Sequence, residues 1–384
     1  MLQRIIYLSA ALAMVQAQDL GVPLSWKNFS NSRPYDERVS IGQTAINTIL
    51  PQLNSATGEF NGIGYWQSGN VFSVMAIQDW LAHTTKNKAL VEGNLELVWG
   101  LWDNYDQYGT TTMRCRSPSI RHSEPDAAPP PAVTGPDDQS SSVLTADQAS
   151  AGASPYKSVS LVATCEGKSM AGGVFWRPAG DDPGMNSITT GYAFLSAFLA
   201  DTTGDSKYTN AAIQSARWMQ ALQINSNGII LDSLSGHDCS RSPATWLFTY
   251  NSGKFIEGLS VLANVTNDDT WSNLLVNVVA SAVKSSAWQG SDGIITEGAS
   301  PSSNNDGVGF KAIFIRGLLE VWNRNPLYDD LRILIHSYVD YNALLTQVAN
   351  GGSYSSDWHG AAQNFTTWGQ MAALDPLTVA VATN

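Results

Sequence analysis

The stretch FIEGLSVLANVTNDDTWSNLLVNVVASAVKS, residues 255–285, contains two apolar periodic segments separated by a short polar turn. In each segment apolar residues recur every three or four positions, the spacing that places them along one side of an α-helix. The turn ends in Asp268 and Asp269, and an acidic residue at this position is typical of a helix N-cap. The stretch therefore predicts a helical hairpin.

Joints of the same kind occur at two other places in the chain. LAHTTKNKAL (81–90) and LADTTGDSKY (199–208) are similar to LANVTNDDTW (262–271), because in each an apolar helix end runs into Thr and a polar turn before a second helix begins. No strand-rich region interrupts this pattern. Repeated hairpins predict an all-α fold in which inner and outer helices form a toroid, with a cleft built from the loops at one end of the inner helices.

Composition limits the classes of function. The 384 residues are 43% hydrophobic and 14% charged, with 13 Trp and 13 Tyr, so the chain can bury a large core. A formal net charge of −12 argues against nucleic acid and anionic membranes as partners. The five His and three Cys show no metal-ligand spacing, and we expect neither a metal nor another cofactor.

The first 17 residues, MLQRIIYLSAALAMVQA, have the organisation of a secretory signal peptide. Arg4 supplies the positive charge, an apolar run extends from Ile5 to Val15, and small residues precede a cleavage site after Ala17. The run is too short to span a membrane. We therefore expect a secreted protein in the extracellular or cell-wall space, with residues 18–384 forming a single domain that acts as a monomer.

In a secreted chain, sequons can be glycosylated and cysteines are expected to form disulfides. Three Asn-X-Ser/Thr sequons predict N-glycosylation. They begin at Asn28, Asn264 and Asn364. An odd number of cysteines in a secreted chain leaves one without a partner in the same chain. Cys165 and Cys239 lie in regular sequence and are expected to form a disulfide, whereas Cys115 lies in an anomalous segment and is left over.

Five polar-aromatic loops each precede an apolar helix: GYWQSGN (64–70), GGVFWRP (172–178), MNSITTG (185–191), FTYNSG (248–253) and NNDGVGFK (304–311). An aromatic ring can stack on the C–H face of a pyranose, while Asn, Asp and Gln can bond its hydroxyls. Turn packing, helix capping and burial in the core are the alternatives. The candidate sugar contacts are Trp66, Gln67, Asn70, Trp176, Asn186, Tyr250, Asn251 and Asp306, with Trp246 as a further stacking platform.

In this order the loops resemble those of glycoside hydrolase family 76, whose members include endo-α-1,6-mannanases and fungal cell-wall proteins. The resemblance covers roughly 40–110 and 143–380, and its motifs are Trp66-Gln67 with Asn70, GGVFW (172–176), NSIT (186–189), TYNSG (249–253) and FKAIFIR (310–316). It implies an (α/α)6 barrel, a mannose-containing polysaccharide or glycan as partner, and no cofactor. It also implies retaining hydrolysis by two adjacent Asp, of which one attacks the anomeric carbon and the other protonates the leaving oxygen.

The residues at the place where the resemblance puts this pair are not acidic. The pair should come directly after the second long helix, between Thr110 and Met113. The chain instead has TTTMRCRSPS at residues 110–119. Residues 110–142 are rich in Pro and contain no aromatic residue and no Leu, so they cannot form the two apolar helices expected of them. Three adjacent Asp pairs occur elsewhere without the expected helix context: Asp137-Asp138, Asp181-Asp182 and Asp268-Asp269. Of these, Asp181-Asp182 is the alternative candidate for the catalytic pair.

A shift of reading frame accounts for this segment. Thr codons are ACN and the Met codon is ATG, so a frame that begins at the third base of the Gly109 codon gives NAC, NAC, NAC and NAT, each encoding Tyr, His, Asn or Asp. With CGN for Arg114, the next two codons encode Ala and then Leu, Met or Val. The shifted frame permits Tyr-Asn-Asp-Asp-Ala-Leu, the expected motif. We interpret 110–142 as a frame or splicing artefact, with a genuine Pro-rich loop as the alternative.

The sequence leaves three functional interpretations open. The first is a secreted hydrolase of α-1,6-linked mannan or of cell-wall mannose glycans, with the chain as written inactive because the Asp pair is missing. The second is a non-catalytic mannan-binding pseudoenzyme, because the cleft loops are present without the acids. The third is a cell-wall transglycosidase, in which an acceptor sugar replaces water.

We predict that sequencing of the transcript will place a one-nucleotide difference or an alternative splice junction between the codons for Gly109 and Val143. The restored frame should encode adjacent Asp residues near position 112, followed by an apolar helix. The codons on either side, for 88–101 and 143–151, serve as the control and should read as in the present chain. A verified mRNA that encodes 110–142 as written would contradict the interpretation.

Overall fold

The computed structural model of the chain describes residues 19–26, 32–102, 143–177, 179–186, 188, 192–346, 352–360 and 364–383. The expected signal peptide, Asn28, Cys115, Asp137-Asp138 and the segment 110–142 lie outside these residues. The described residues form eleven α-helices: α1 (Tyr35–Ile49), α2 (Tyr65–Leu81), α3 (Lys88–Leu101), α4 (Ala146–Ala151), α5 (Tyr192–Thr203), α6 (Ser206–Leu222), α7 (Thr249–Thr266), α8 (Asp269–Ala282), α9 (Asp306–Arg324), α10 (Asp329–Thr346) and α11 (Thr367–Val379).

Strands within the described residues are short and lie between the helices. They form three antiparallel pairs: β1 (Leu53–Asn54) with β2 (Glu59–Phe60), β3 (Thr164–Cys165) with β4 (Lys168–Ser169), and β5 (Gly184–Met185) with β6 (Leu234–Ser235). Cys165 of β3 forms a disulfide with Cys239, in the connection that follows β6. This bond ties the β3–β4 hairpin to the connection between α6 and α7.

Burial separates the helices into an inner and an outer set. α7, α9 and α11 are buried on all sides, as expected for helices surrounded by other helices, whereas α6 and α8 bury a single stripe. The inner helices pack in the order α2, α11, α9, α7 and α5, while α6 packs on α5, α8 on α7 and α1 on α11. The described helices thus form an α/α barrel. None of them is long and apolar enough to cross a membrane.

The three joints identified from the sequence connect α2 to α3, α5 to α6 and α7 to α8. In each joint one residue adopts the left-handed conformation that commonly ends a helix. These residues are His83, Gly204 and Asn267, with φ of 52°, 68° and 50°. Asp205 and Asp268 then cap α6 and α8, each accepting a bond from the backbone N–H two residues further on, at 2.9 and 2.8 Å. The acidic N-cap role predicted for Asp268 is confirmed.

Two glycines allow the inner helices α7 and α9 to approach closely. A Cβ atom added at Gly253 of α7 would lie 2.6 Å from the Cα of Phe314, and one added at Gly317 of α9 would lie 2.3 Å from the carbonyl oxygen of Gly253. Both distances are shorter than any contact that carbon atoms tolerate. The spacing between the two helices therefore requires glycine at both positions.

A buried ion pair joins the inner helices across the barrel. Arg316 of α9 donates from Nε to Asp375 Oδ1 at 2.8 Å and from a terminal nitrogen to Asp375 Oδ2 at 2.9 Å, and both side chains are 3% exposed. The other terminal nitrogen donates to Asn70 Oδ1 of α2 at 2.8 Å. Because Asp375 belongs to α11, one guanidinium connects three inner helices with bidentate geometry.

We predict that Asp375→Asn will lower the free energy of unfolding by about 3–5 kcal/mol, because it leaves the Arg316 charge buried without its counter-charge. Urea denaturation followed by circular dichroism measures the change. The matched control is Glu37→Gln, which breaks the exposed ion pair with Arg33 and should cost less than about 1 kcal/mol. Losses of equal size in the two variants would show that the buried pair has no special role.

Candidate active site

The N-terminal ends of the inner helices meet at one end of the barrel. The ring of Trp66 at the start of α2 lies 5.9 Å from that of Phe310 near the start of α9, and the Phe310 ring lies 4.4 Å from that of Tyr250 at the start of α7. These three helices therefore run parallel, with their N-terminal ends side by side. The loops that precede them form the mouth of the barrel, where the sequence predicts a cleft.

A carboxylate organises this mouth. Asp232 Oδ1 accepts hydrogen bonds from Tyr250 Oη at 2.9 Å, Asn251 Nδ2 at 3.0 Å and Asn186 Nδ2 at 3.4 Å. Asn186 is 3% exposed and Asn251 is fully buried, whereas Tyr250 and Asp232 are half-buried. The structure thus brings together three of the predicted site residues around an acid. We call Asp232, Asn186, Tyr250 and Asn251 the Asp232 cluster.

Asp232 is absent from the residues that sequence reasoning selected. It follows a turn in which Asn225 Oδ1 accepts from the backbone N–H groups of Asn227 and Ile229, at 2.9 and 3.0 Å. Ile229 and Ile230 are buried, which anchors the chain just before Asp232. The only local signal was an acid directly after a buried apolar run, because the partners of Asp232 come from distant parts of the chain.

Trp66 and Asp306 contact each other at the mouth. Both come from the polar-aromatic loops in which the sequence predicts site residues. Trp66 Nε1 donates to Asp306 Oδ1 at 3.2 Å, and Trp66 is half-buried while Asp306 is exposed. Gln67, by contrast, is 2% exposed. Its amide accepts from the Gly64 N–H at 2.9 Å and exchanges hydrogen bonds with Asn304 at 2.6 and 3.1 Å. Gln67 therefore holds α2 to the loop before α9.

Asn70 points toward the interior rather than along the rim. Its Oδ1 accepts from Arg316, and its Nδ2 donates to the carbonyl oxygen of Trp66 at 3.0 Å. Both polar atoms of the side chain are engaged in contacts between and within helices. Asn70 therefore positions Trp66 and Arg316.

Trp176 and the Asp181-Asp182 pair lie in a separate turn. Asp182 accepts from Trp176 Nε1 at 3.1 Å and from the Gly184 N–H at 2.9 Å, one bond on each carboxylate oxygen. Lys157 Nζ donates to the Asp182 carbonyl oxygen at 2.6 Å. These contacts give Asp182 the role of closing the turn. Among the described residues there is no group of three or more His, Cys, Asp or Glu arranged to hold a metal ion.

The two described sequons are exposed, and neither Asn is part of the Asp232 cluster. Asn264 is exposed near the C-terminal end of α7, and its Oδ1 accepts from Arg324 at 3.0 Å. Asn364 is exposed just before α11. The sequon threonine of Asn364 is Thr366, which caps α11 by accepting from the Gly369 N–H at 3.1 Å.

Two ionisable groups lie beneath the mouth. Glu297 accepts from the Thr249 N–H at 3.0 Å and from the Thr249 hydroxyl, and so caps the start of α7. Burial raises the pKa of Glu297 to about 7, against the lowering effect of these hydrogen bonds. Lys311 of α9 is fully buried, donates to the Ser356 carbonyl oxygen and lies 4.3 Å from the Trp358 ring. Burial lowers the pKa of Lys311 to about 7.

We predict that Glu297→Gln will change how stability depends on pH. The pKa of Glu297 is raised above its ordinary value of 4.5, so its contribution to stability is complete below about pH 4.5 and is lost as the pH rises toward 7. The Gln side chain does not ionise, so its contribution to stability does not fall as the pH rises. Between these pH values the variant should gain on the order of 1–3 kcal/mol relative to the parent chain.

Urea denaturation at intervals from pH 4.5 to 7 tests this prediction. Lys311 makes the free energy of unfolding rise with pH, but only above its lowered pKa of about 7. In that range the unfolded state binds more protons than the folded state. Glu96→Gln, at an exposed glutamate of α3, controls for the change from acid to amide. Parallel stability curves for the parent chain and Glu297→Gln would refute the assignment.

The fold and the site define an α/α barrel with aromatic rings and a hydrogen-bonded carboxylate at one end. The sequence profile of glycosyl hydrolase family 76 matches residues 159–384. This is more than half of the chain, and the chain belongs to glycosyl hydrolase family 76. The family predicted from the loop motifs is confirmed.

Two yeast proteins are similar in sequence, and both are named mannan endo-1,6-alpha-mannosidase DCW1. The protein of Saccharomyces cerevisiae is 29% identical over 198 residues, which are 49% of this chain and 42% of the relative. That of Candida glabrata is 27% identical over 207 residues, which are 50% of this chain and 44% of the relative. The match thus spans less than half the length of either relative.

Solved structures extend the likeness over most of the chain. An inactive double Asp→Asn variant of the α-1,6-mannanase GH76A of Salegentibacter sp. HEL1_6, in complex with α-1,6-mannotriose, has a TM-score of 0.65 at 14% identity, over 91% of this chain and all of that one. Dfg5 from Chaetomium thermophilum, in complex with glucosamine, has a TM-score of 0.67 at 17% identity, over 92% of each chain. At these identities the likeness concerns the fold, and the predicted (α/α)6 barrel is confirmed.

Proposed function

We propose that this protein recognises α-1,6-linked mannan or related mannose glycans at the mouth of the barrel, and that the intact gene product hydrolyses them. The observation that carries the proposal is the Asp232 cluster, in a chain of family 76, with its Tyr250 ring against Phe310 and the Phe310 ring beside Trp66. A carboxylate bonded to a phenol and two amides can accept hydroxyl hydrogens of a sugar, while the neighbouring rings contact its C–H face.

The relatives support mannose as the sugar. The two similar yeast proteins bear the name mannan endo-1,6-alpha-mannosidase, and the Salegentibacter structure is an α-1,6-mannanase bound to α-1,6-mannotriose. The bacterial variant was made inactive by replacing two aspartates that are adjacent in its sequence. This agrees with the adjacent Asp pair that the family resemblance implies.

The proposed chemistry of the intact protein is a double displacement with retention. Two carboxyl groups about 5–5.5 Å apart are needed, one as nucleophile and one as acid and then base. Both belong to the adjacent Asp pair expected near Thr110, and Asp232 is a third carboxylate, whose Oδ1 already accepts three hydrogen bonds. We assign Asp232 to holding a sugar hydroxyl, and Tyr250 and Asn251 to fixing the orientation of Asp232.

The chain as written is proposed to bind mannan without cleaving it. Thr110 to Met113 stand where the catalytic pair is expected, and hydroxyl and thioether groups cannot replace the two carboxylates. Asp181 and Asp182 are not substitutes in this proposal, because both carboxylate oxygens of Asp182 serve its own turn. We further propose secretion after cleavage at Ala17, a monomeric single domain of 18–384, and glycosylation at Asn28, Asn264 and Asn364.

We predict that the purified chain as written will retain α-1,6-mannan in a pull-down assay but release no oligosaccharide. A version with the shifted frame restored should release oligosaccharides, because it regains both carboxylates. Chromatography of the products after incubation measures this.

The matched control is the restored version with its two adjacent aspartates changed to Asn, which should bind and not cleave. Release by the chain as written would refute the assignment of the catalytic pair. Products longer than the donor would indicate the transglycosidase.

A further inference from the structure

A row of aromatic rings crosses the mouth of the barrel and continues beyond the Asp232 cluster. The aromatic row consists of Trp66, Phe310, Phe248 and Trp246, whose neighbouring ring centroids lie 5.9, 5.3 and 6.2 Å apart. Tyr250 links the row to the cluster, because its ring lies 4.4 Å from Phe310 while its hydroxyl donates to Asp232. The row is therefore continuous with the proposed sugar site.

Trp246 forms the outer end of the aromatic row. Its side chain is 48% exposed, and its backbone N–H donates to the Pro243 carbonyl oxygen at 2.8 Å, which fixes the turn that carries it. A single exposed aromatic residue is ordinary, but an exposed ring that continues a row of others marks an interaction surface. The fold thus holds an indole open to solvent beside the other rings of the row.

Trp176 is also an exposed indole, but its contacts are with its own turn rather than with the aromatic row. It is 37% exposed, but the Arg177 guanidinium lies 3.9 Å from its ring and its Nε1 donates to Asp182. One face of the ring and its polar edge are therefore already in contact with protein. Of the two tryptophans that the sequence suggests as stacking platforms, Trp246 is the one in the aromatic row.

On the basis of the proposed function, we infer that Trp246 and Phe248 form an outer subsite for an extended α-linked mannose chain. A pyranose ring is about as large as one aromatic ring, so a row of four rings accommodates more than one sugar. Asp306, bonded to Trp66 at the other end of the row, offers a carboxylate to sugar hydroxyls. Oligomers that reach from the Asp232 cluster to Trp246 should bind more tightly than short ones.

Calorimetric titration of the full chain with α-1,6-mannohexaose and α-1,6-mannotriose tests the outer subsite. Trp246→Ala should weaken binding of the hexaose by about tenfold and of the triose by less than about twofold. Trp246→Phe keeps an aromatic face and should restore most of the affinity for the hexaose. Thermal melting of each variant verifies that the fold is retained.

The matched control is Trp80→Ala. Trp80 is 41% exposed but lies near the opposite end of α2 from Trp66, about 21 Å away along the helix, so its removal should leave both affinities unchanged. If the parent chain binds the hexaose and Trp246→Ala binds it equally well, the outer subsite is refuted and the mannan site stands. If the parent chain binds neither oligomer, both proposals fall.

Discussion

A buried guanidinium holds the inner ring of helices in register. Arg316 of α9 bonds Asp375 of α11 through two nitrogens and Asn70 of α2 through a third. Removing these charges from water is costly, and the cost is offset only while the bidentate geometry and the additional hydrogen bond are kept. A shift of any of the three helices would leave a buried charge without its partner. The N-terminal ends of α2 and α9 are fixed beside each other for this reason.

The grouping of polar and aromatic side chains at one end of the barrel follows from that alignment. Because the inner helices run parallel, the loops before α2, α7 and α9 converge on one end of the barrel. There Glu297, from the loop before α9, caps α7 through Thr249, and the next two residues of α7, Tyr250 and Asn251, hold Asp232. The positive ends of the helix dipoles favour carboxylates at this end of the barrel. The same packing that closes the ring therefore also places an acid beside aromatic rings.

The sequence predicted the helices and the order of the loops, but it could not predict which protein groups the individual polar residues contact. Apolar periodicity and acidic caps are local signals, and they located joints such as the one capped by Asp268. Amide side chains carry no such signal: Gln67 and Asn70, predicted to contact sugar, bond Asn304 and Arg316 in the structure. Asp232 was missed because its three partners are 18 to 46 residues away and only the fold brings them together.

In the proposed function, recognition and chemistry occupy different parts of the chain. Asp232 and its three partners all lie within the 159–384 region that matches family 76, whereas the expected catalytic pair belongs to the segment that begins at Thr110. A reading-frame slip confined to 110–142, as we interpret this segment, would remove both carboxylates that a double displacement requires. It leaves unchanged every residue that bonds Asp232 and every ring of the aromatic row. Under this proposal one genetic event abolishes cleavage while the residues proposed to bind mannan are retained.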